Sequence, residues 1–465
     1  MPLWPSILAE IAAFRRDIRT LPVLPDITPE RLRAELEPRY TFDRPMPLEE
    51  VTADVMRLLR AYQIHVTHPR YFGLFNPQVR EAGIVADTLA ALYNPQLAVW
   101  SHSPAAYELE RLALRAFARR IGWDPDPMLA QFTSGGAEAN LCAAMCALAH
   151  LHPAWSQEGV AALDTRPAIY VSTESHHSFV KIARMAGLGT AQVREAPVTP
   201  RLQLDPAALE QMITEDRAAG RSPLLVVGTA GTTAAGIIDP LPELADVAAR
   251  QGAWFHVDAA WGGGALMSER FRPLLAGIER ADSVTWDAHK WLSVPMGAGM
   301  FFCRHHVAVE RAFTSIHSYM PSATRGVMAE PFQSTPQWSR RAIGLKVFMA
   351  LAELGIDGYA KLIEHQAAMG ERLRELLRAA GWILVNDTQL PVVCFTHPDI
   401  ESGRVTIPDL IARIYQRRNV WISPVTLGKS RQALRACITS YETEEGDLAV
   451  QLDELQGVIA RKEEG

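Results

Sequence analysis

The middle of the chain sets short β-rich runs between stretches of helical periodicity, and this alternation constrains the fold more than any other feature. The runs are Ala168–Ser172, Leu224–Gly228, Trp254–Asp258, Ser283–Trp286 and Met300–Cys303, with helical stretches such as Pro206–Ala219 and Pro242–Arg250 among them. Strands that alternate with helices pair in parallel and are covered on both faces. The expectation is an α/β fold with a mainly parallel sheet and helices on both sides. Ligands of such sheets gather outside the carboxyl ends of the strands. Residues just past these runs are therefore the first candidates for chemistry.

The flanks read differently. Residues 1–90 form an N-terminal helical segment with proline-rich breaks, and Thr28-Pro29-Glu30 and Pro47-Leu48-Glu49 look like helix starts. Residues 91–345 hold the alternating units. Residues 346–465 begin with a long helix (Leu345–Leu354 and on through Tyr359–Ala379). Strand-like runs follow at Trp382–Val385, Val392–Thr396, Val420–Ser423 and Arg435–Ser440, with helices at Ile407–Arg417 and Glu444–Arg461. This end reads as a small α+β domain.

At 465 residues the chain is too long for one hydrophobic core. A formal net charge of −6 with no Lys/Arg-dense face argues against a nucleic-acid partner. No apolar run approaches the ~20 residues of a membrane span. The N-terminus lacks the basic start and cleavage site of an export signal. Five scattered cysteines give neither a disulfide framework nor a metal-ligand spacing. A cytoplasmic setting without a structural metal is expected.

Lys290 stands just past Ser283–Trp286, wedged between His289 and Trp291 where a free ammonium is costly. Asp258 closes Trp254–Asp258. A strand-end Asp alone is usually a cap, and a lone Lys is usually a surface charge. Together they supply what pyridoxal 5'-phosphate needs: an amine for its aldehyde, as a Schiff base, and a carboxylate facing its pyridinium nitrogen. The run Gly262–Gly264 looks like backbone passing close to a ligand. Thr133-Ser134-Gly135-Gly136-Ala137 opens a helical run, and small residues at a helix start leave N–H groups free for a phosphate.

The segments HVDAAWGG (256–263) and DAHKW (287–291) together resemble the group II pyridoxal-phosphate decarboxylases, the family of aromatic amino acid, glutamate, histidine and cysteine sulfinate decarboxylases. The similarity covers nearly the whole chain and is strongest between about 68 and 346. It implies a fold-type I enzyme with a seven-stranded cofactor domain, a helical N-terminal layer and a small C-terminal domain. It also implies a homodimer that decarboxylates an L-amino acid. The matching positions imply that Gly136, Ala137 and His289 hold the phosphate and that Thr233 bonds the phenolic oxygen or the substrate. Ala260 would lie against the ring. In Ser-Thr-Glu-Ser-His-His-Ser (172–178) a histidine would stack on it. Aligning on Ser178 and Lys181 selects His176, the preferred choice, whereas aligning on Ala183 selects His177. Arg340, six before Lys346, falls where the family places its carboxylate arginine. Phe75, Asn76 and Trp100 lie in segments resembling those that line the substrate pocket, although Phe75 and Trp100 fit equally as core aromatics.

One position departs from the pattern. Many members carry a proton-donating tyrosine on a loop before the arginine pair, and the best match here is Phe332 in Met328–Trp338. Phenylalanine cannot donate a proton. The resemblance then implies either decarboxylation with side transamination or oxidative deamination to an aldehyde, unless Tyr319 substitutes. A catalytically inactive, cofactor-binding scaffold is the alternative from another functional class.

Overall fold

The computed structural model describes residues 3–126, 128–315 and 330–460. At its centre is a seven-stranded sheet of β1 (Leu129–Thr133), β2 (Arg166–Ser172), β3 (Val193–Ala196), β4 (Arg221–Thr229), β5 (Trp254–Asp258), β6 (Ser283–Asp287) and β7 (Gly299–Cys303). Their spatial order is β1-β7-β6-β5-β4-β2-β3. From β6 across to β3 all neighbours are parallel, while β7 runs antiparallel to both β6 and β1.

Burial of both faces explains why the central strands read as unbroken apolar runs. Leu225 and Val227 of β4, with Phe301 of β7, pack against the helix Gly136–Leu151. Val226, with Val257, Val284 and Phe302, packs on the opposite side against the helix Leu241–Gln251. All five expected strands of this region occur. The edge strands β1 and β3 escape the apolar pattern because Gln131, Arg194 and Glu195 interrupt them. An edge strand tolerates such residues.

A second, antiparallel sheet closes the chain. It holds β8 (Ile383–Leu384), β9 (Val392–Thr396), β10 (Ser423–Leu427) and β11 (Arg431–Cys437), in the order β10-β11-β9-β8. The expected runs Val420–Ser423 and Arg435–Ser440 mark where the apolar residues are, not where the strands pair. Pairing extends through exposed Thr426, Arg431 and Gln432 to a turn at Gly428 and Lys429, both with φ in the left-handed region (55° and 71°).

Residues near 72 belong structurally with this small sheet. Phe72 N donates to Trp421 O at 2.9 Å, and Cys437 N donates to Phe72 O at 3.0 Å. The tie brings Phe75 over the carboxyl ends of the large sheet. By contrast, the helices Leu3–Asp17, Pro29–Arg39 and Leu48–Tyr62 contain no buried residue. No described helix is long and apolar enough to cross a membrane.

Candidate active site

In register, Thr229 pairs with Asp258 and Asp258 with Thr285, so the carboxyl ends of β4, β5 and β6 are level. One cavity opens there. Asp258, Ala260 and Lys290 line it together with Gly136, Ala137, His176 and Thr233.

Lys290 Nζ lies 3.0 Å from Asp287 Oδ2 and 5.8 Å from the centre of the Phe75 ring. Asp287 was not a candidate from sequence, although it stands one turn before the lysine. His289 has a determined tautomer. Burial lowers its pKa, and its Nδ1 accepts from Ala298 N at 3.1 Å. The remaining proton is therefore on Nε2.

The helix Gly136–Leu151 begins beside these groups. Its first intrahelical bonds are donated by Glu138 and Ala139 to Gly135 O, so the N–H groups of Gly136 and Ala137 precede the helical ladder. Side chains would close this cradle. A Cβ on Gly136 would lie 2.9 Å from Asp287 Oδ2 and 3.1 Å from Ala260 Cβ.

Asp258 is buried, and its carboxylate accepts from Asn140 Nδ2 at 2.8 Å and from Ala260 N at 3.1 Å. Of the two adjacent histidines, His176 lines the cavity, while His177 sits at the start of the helix Ser178–Met185. His176 Nδ1 accepts from Ser178 N at 3.2 Å. His176 is exposed to the cavity; desolvation by the protein around it lowers its pKa, opposed by Asp258 and aided by Lys290. Of the paired threonines, Thr233 reaches the cavity and Thr232 Oγ1 accepts from Ile237 N to close the turn. Asp239 fixes that turn as well, accepting from Thr229 N and Leu204 N.

Several expected residues lie elsewhere. Arg340 does not line the cavity. Its Nη1 and Nη2 donate to the two oxygens of Glu110 at 3.2 and 2.8 Å, with both side chains buried. A guanidinium so engaged has no fork left for a substrate. Trp100 is held by Glu108 through its indole N–H (3.1 Å) and by Glu330 through its backbone N–H (2.7 Å), away from the cavity of its own chain. Asn76 is half-buried and donates to Met296 Sδ at 3.3 Å. Phe332 is not a loop-tip residue. It is buried in the short turn Pro331–Gln333, its N–H bonds Ala98 O at 3.0 Å, and its ring lies 4.9 Å from Trp338. Tyr319 lies outside the described residues. Gly262–Gly264 pass close to other parts of the protein. A Cβ on Gly262 would meet Ala230 O at 2.1 Å, and the next two glycines face the indoles of Trp286 and Trp291.

A group the sequence reading missed is Arg435 on β11. It is buried, Nη1 donates to Gly73 O at 3.0 Å, and Cζ lies 4.8 Å from the Phe75 ring centre. Its Nε and Nη2 are buried without a hydrogen-bond partner among the described residues. Phe75 thus has Arg435 and Lys290 near its ring and stacks on Trp261 at 4.7 Å. The available signal was a lone arginine inside the apolar run Ala433–Ile438.

These residues fit pyridoxal 5'-phosphate in donor type: an amine, a buried carboxylate, and free helix-start N–H groups in a cradle that only glycine leaves open. Comparison with known proteins agrees. The profile of the pyridoxal-dependent decarboxylase conserved domain matches residues 29–397. The acidic amino acid decarboxylase GADL1 of Bos taurus is 31% identical over 373 residues, covering 79% of this chain and 70% of that protein. An aromatic-L-amino-acid decarboxylase of Bacillus atrophaeus is 29% identical over 388 residues, covering 82% and 78%. The crystal structure of Oryza sativa TDC with PLP and tryptamine superposes with a TM-score of 0.91 at 26% identity, covering 99% of this chain and 97% of that one. The chain belongs to the pyridoxal-dependent decarboxylase family and is a PLP-dependent amino acid decarboxylase.

Proposed function

We propose that this chain cleaves the Cα–carboxylate bond of an L-amino acid, releasing carbon dioxide and the corresponding amine, with the residues around Lys290 in the following roles. The observation that carries the reading is the meeting of Lys290, Asp258 and the Gly136–Ala137 helix start at one cavity. When bound, the cofactor supplies an aldehyde for the amine and a ring that draws electrons from Cα. Lys290 would hold that aldehyde, and Asp287, 3.0 Å from its amine, would keep the amine in place. Asp258 favours the protonated ring nitrogen as a neighbouring opposite charge. The N–H groups of Gly136 and Ala137 and the Nε2–H of His289 take the phosphate. His176, whose Nδ1 accepts from Ser178 N, covers the ring and offers Nε2–H to the cavity. Ala260 keeps its side of the cavity open, and the Thr233 hydroxyl bonds the phenolic oxygen or substrate.

Arg435 replaces Arg340 as the group that grips a substrate carboxylate. A carboxylate is the natural partner for two buried guanidinium nitrogens that have no hydrogen bond among the described residues. Phe75 forms an apolar wall between Arg435 and Lys290.

The proposed working unit is a homodimer. Trp4, Leu8, Leu48 and Leu59 are each more than half exposed on the N-terminal helices, and Ile11, Phe14, Met56 and Ile64 line an apolar groove between them. Apolar surface of this extent marks an interface. The proposed setting is the cytoplasm, supported by five free, buried cysteines.

The test is a screen of the purified, cofactor-loaded protein against the twenty L-amino acids, scoring carbon dioxide, amine, aldehyde and peroxide together. Stoichiometric carbon dioxide and amine from at least one amino acid is the expected result. Aldehyde with peroxide as the main product, or no turnover of any amino acid, contradicts the proposal.

A further inference from the structure

Behind Asp258 the structure holds a buried chain of hydrogen bonds whose direction follows from the carboxylate. Asn140 Nδ2 lies 2.8 Å from Asp258 Oδ2, and Asn140 Oδ1 lies 3.0 Å from His256 Nε2. His256 Nδ1 is 2.8 Å from Ser283 Oγ, and Trp254 Nε1 is 2.8 Å from the same hydroxyl. All five side chains are buried, His256 and Ser283 completely. An indole N–H can only donate, and an ionised carboxylate can only accept.

The ionised carboxylate sets the order of the links. Asn140 turns Nδ2 toward Asp258, with Ser178 Oγ at 3.3 Å as a second acceptor for it, and Oδ1 toward His256. His256 then carries its single proton on Nε2, which faces Asn140 Oδ1, with the Thr285 hydroxyl at 3.4 Å. Its Nδ1 accepts the Ser283 hydroxyl proton, and that hydroxyl accepts from Trp254 Nε1. Burial keeps His256 neutral by pushing its pKa down to about 4, so the imidazole has one proton to place. The Ser283 carbonyl, 3.1 Å from Nδ1, would hold the other tautomer. That tautomer makes Nε2 an acceptor and turns the Asn140 amide over. Oδ1 of Asn140 would then stand 2.8 Å from an oxygen of Asp258, an acceptor against an acceptor unless Asp258 is neutral.

We propose that Asn140 and His256 are positioning residues that hold Asp258 ionised and oriented, and thereby keep the proton on the cofactor's ring nitrogen. The proposal rests on the reading of Asp258 as the partner of that nitrogen. A proton shared between a carboxylate and a pyridine has two resting places. A donor to the carboxylate favours its ionised form and so favours the proton on nitrogen. In a buried site such a bond is stronger than in water.

The experiment uses holoenzyme reconstituted with pyridoxal phosphate carrying 15N in the ring, with the ring-nitrogen chemical shift as readout. Wild type is expected in the pyridinium range. Asn140→Leu, similar in size but unable to donate, moves the shift toward neutral pyridine and lowers kcat by about tenfold or more, as loss of a hydrogen bond to a charged group does. His256→Phe does the same, whereas His256→Gln, which retains an amide donor, restores most of the wild-type shift. Asp258→Asn is the control. If it leaves the shift unchanged, the reading of Asp258 fails. If it moves the shift while Asn140→Leu and His256→Phe do not, the relay is overturned and Asp258 stands alone. Should Asn140→Leu not bind cofactor, Ser283→Ala decides. Loss of that hydroxyl releases His256 to the other tautomer, so a partial move toward neutral is expected and an unchanged shift refutes the proposal.

Discussion

Arg435 is buried beside Phe75 with Nε and Nη2 lacking a hydrogen-bond partner among the described residues. Such a guanidinium carries a desolvation cost that a bound carboxylate would remove. Arg435→Met should lower kcat/KM by roughly 10- to 100-fold, the scale of a charge-assisted hydrogen bond. Arg435→Lys, which keeps the charge and loses the fork, should recover only part of it. Steady-state kinetics on the substrate found by the screen check this, and an unchanged kcat/KM for Arg435→Met removes the residue from the site. That Lys290 and Asp258 meet at one cavity was legible in the sequence because their strand-end positions and short flanking motifs are local. The burial of Arg435 beside Phe75 was not, since one arginine in an apolar strand carries no record of what lies above it. Arg340, expected at the cavity, pairs with Glu110 instead. Spacing to Lys346 is local, while its partner Glu110 is 230 residues away in sequence.

The Arg340–Glu110 pair is better understood at the level of helices. Glu110 belongs to the helix Pro104–Ile121, and its Oε1 also accepts from Gly344 N, at the start of the helix Gly344–Ala379. The pair therefore clasps two helices beside the sheet. Removing one partner strands a buried charge, so Arg340→Met should cost about 3–5 kcal/mol of stability. Adding Glu110→Leu should return most of that, because a well-packed apolar pair often replaces a buried ion pair without loss. Denaturant unfolding of the three proteins checks both steps. A single variant as stable as wild type contradicts the clasp. Elements buried on both faces, such as β4 and β5, were plain in the sequence, since their apolar runs have no polar face to confuse them. The edge strands β1 and β3 and the β10–β11 hairpin were not. Their pairing depends on neighbours and on a turn whose left-handed residues include Lys429.

Across the whole molecule, the large, mainly parallel sheet and the small C-terminal sheet both followed from the order of strand-like and helix-like runs. The segment near Phe72 did not, because its bonds to Trp421 and Cys437 are long-range. The bare apolar faces of the N-terminal helices predict that association completes the fold. Sedimentation of the holoenzyme should give a dimer, and Leu8→Glu with Leu59→Glu should shift it toward monomer with loss of activity. A fully active wild-type monomer at assay concentration would contradict the proposed homodimer.

The central claim, that Lys290 is the amine that carries the cofactor above Asp258, is tested most directly by borohydride reduction of the loaded protein followed by peptide mass mapping. The account requires the reduced pyridoxyl phosphate on the peptide containing Lys290, and no adduct in Lys290→Ala. An adduct on another lysine, or no adduct on a protein that still turns over amino acid, would contradict it.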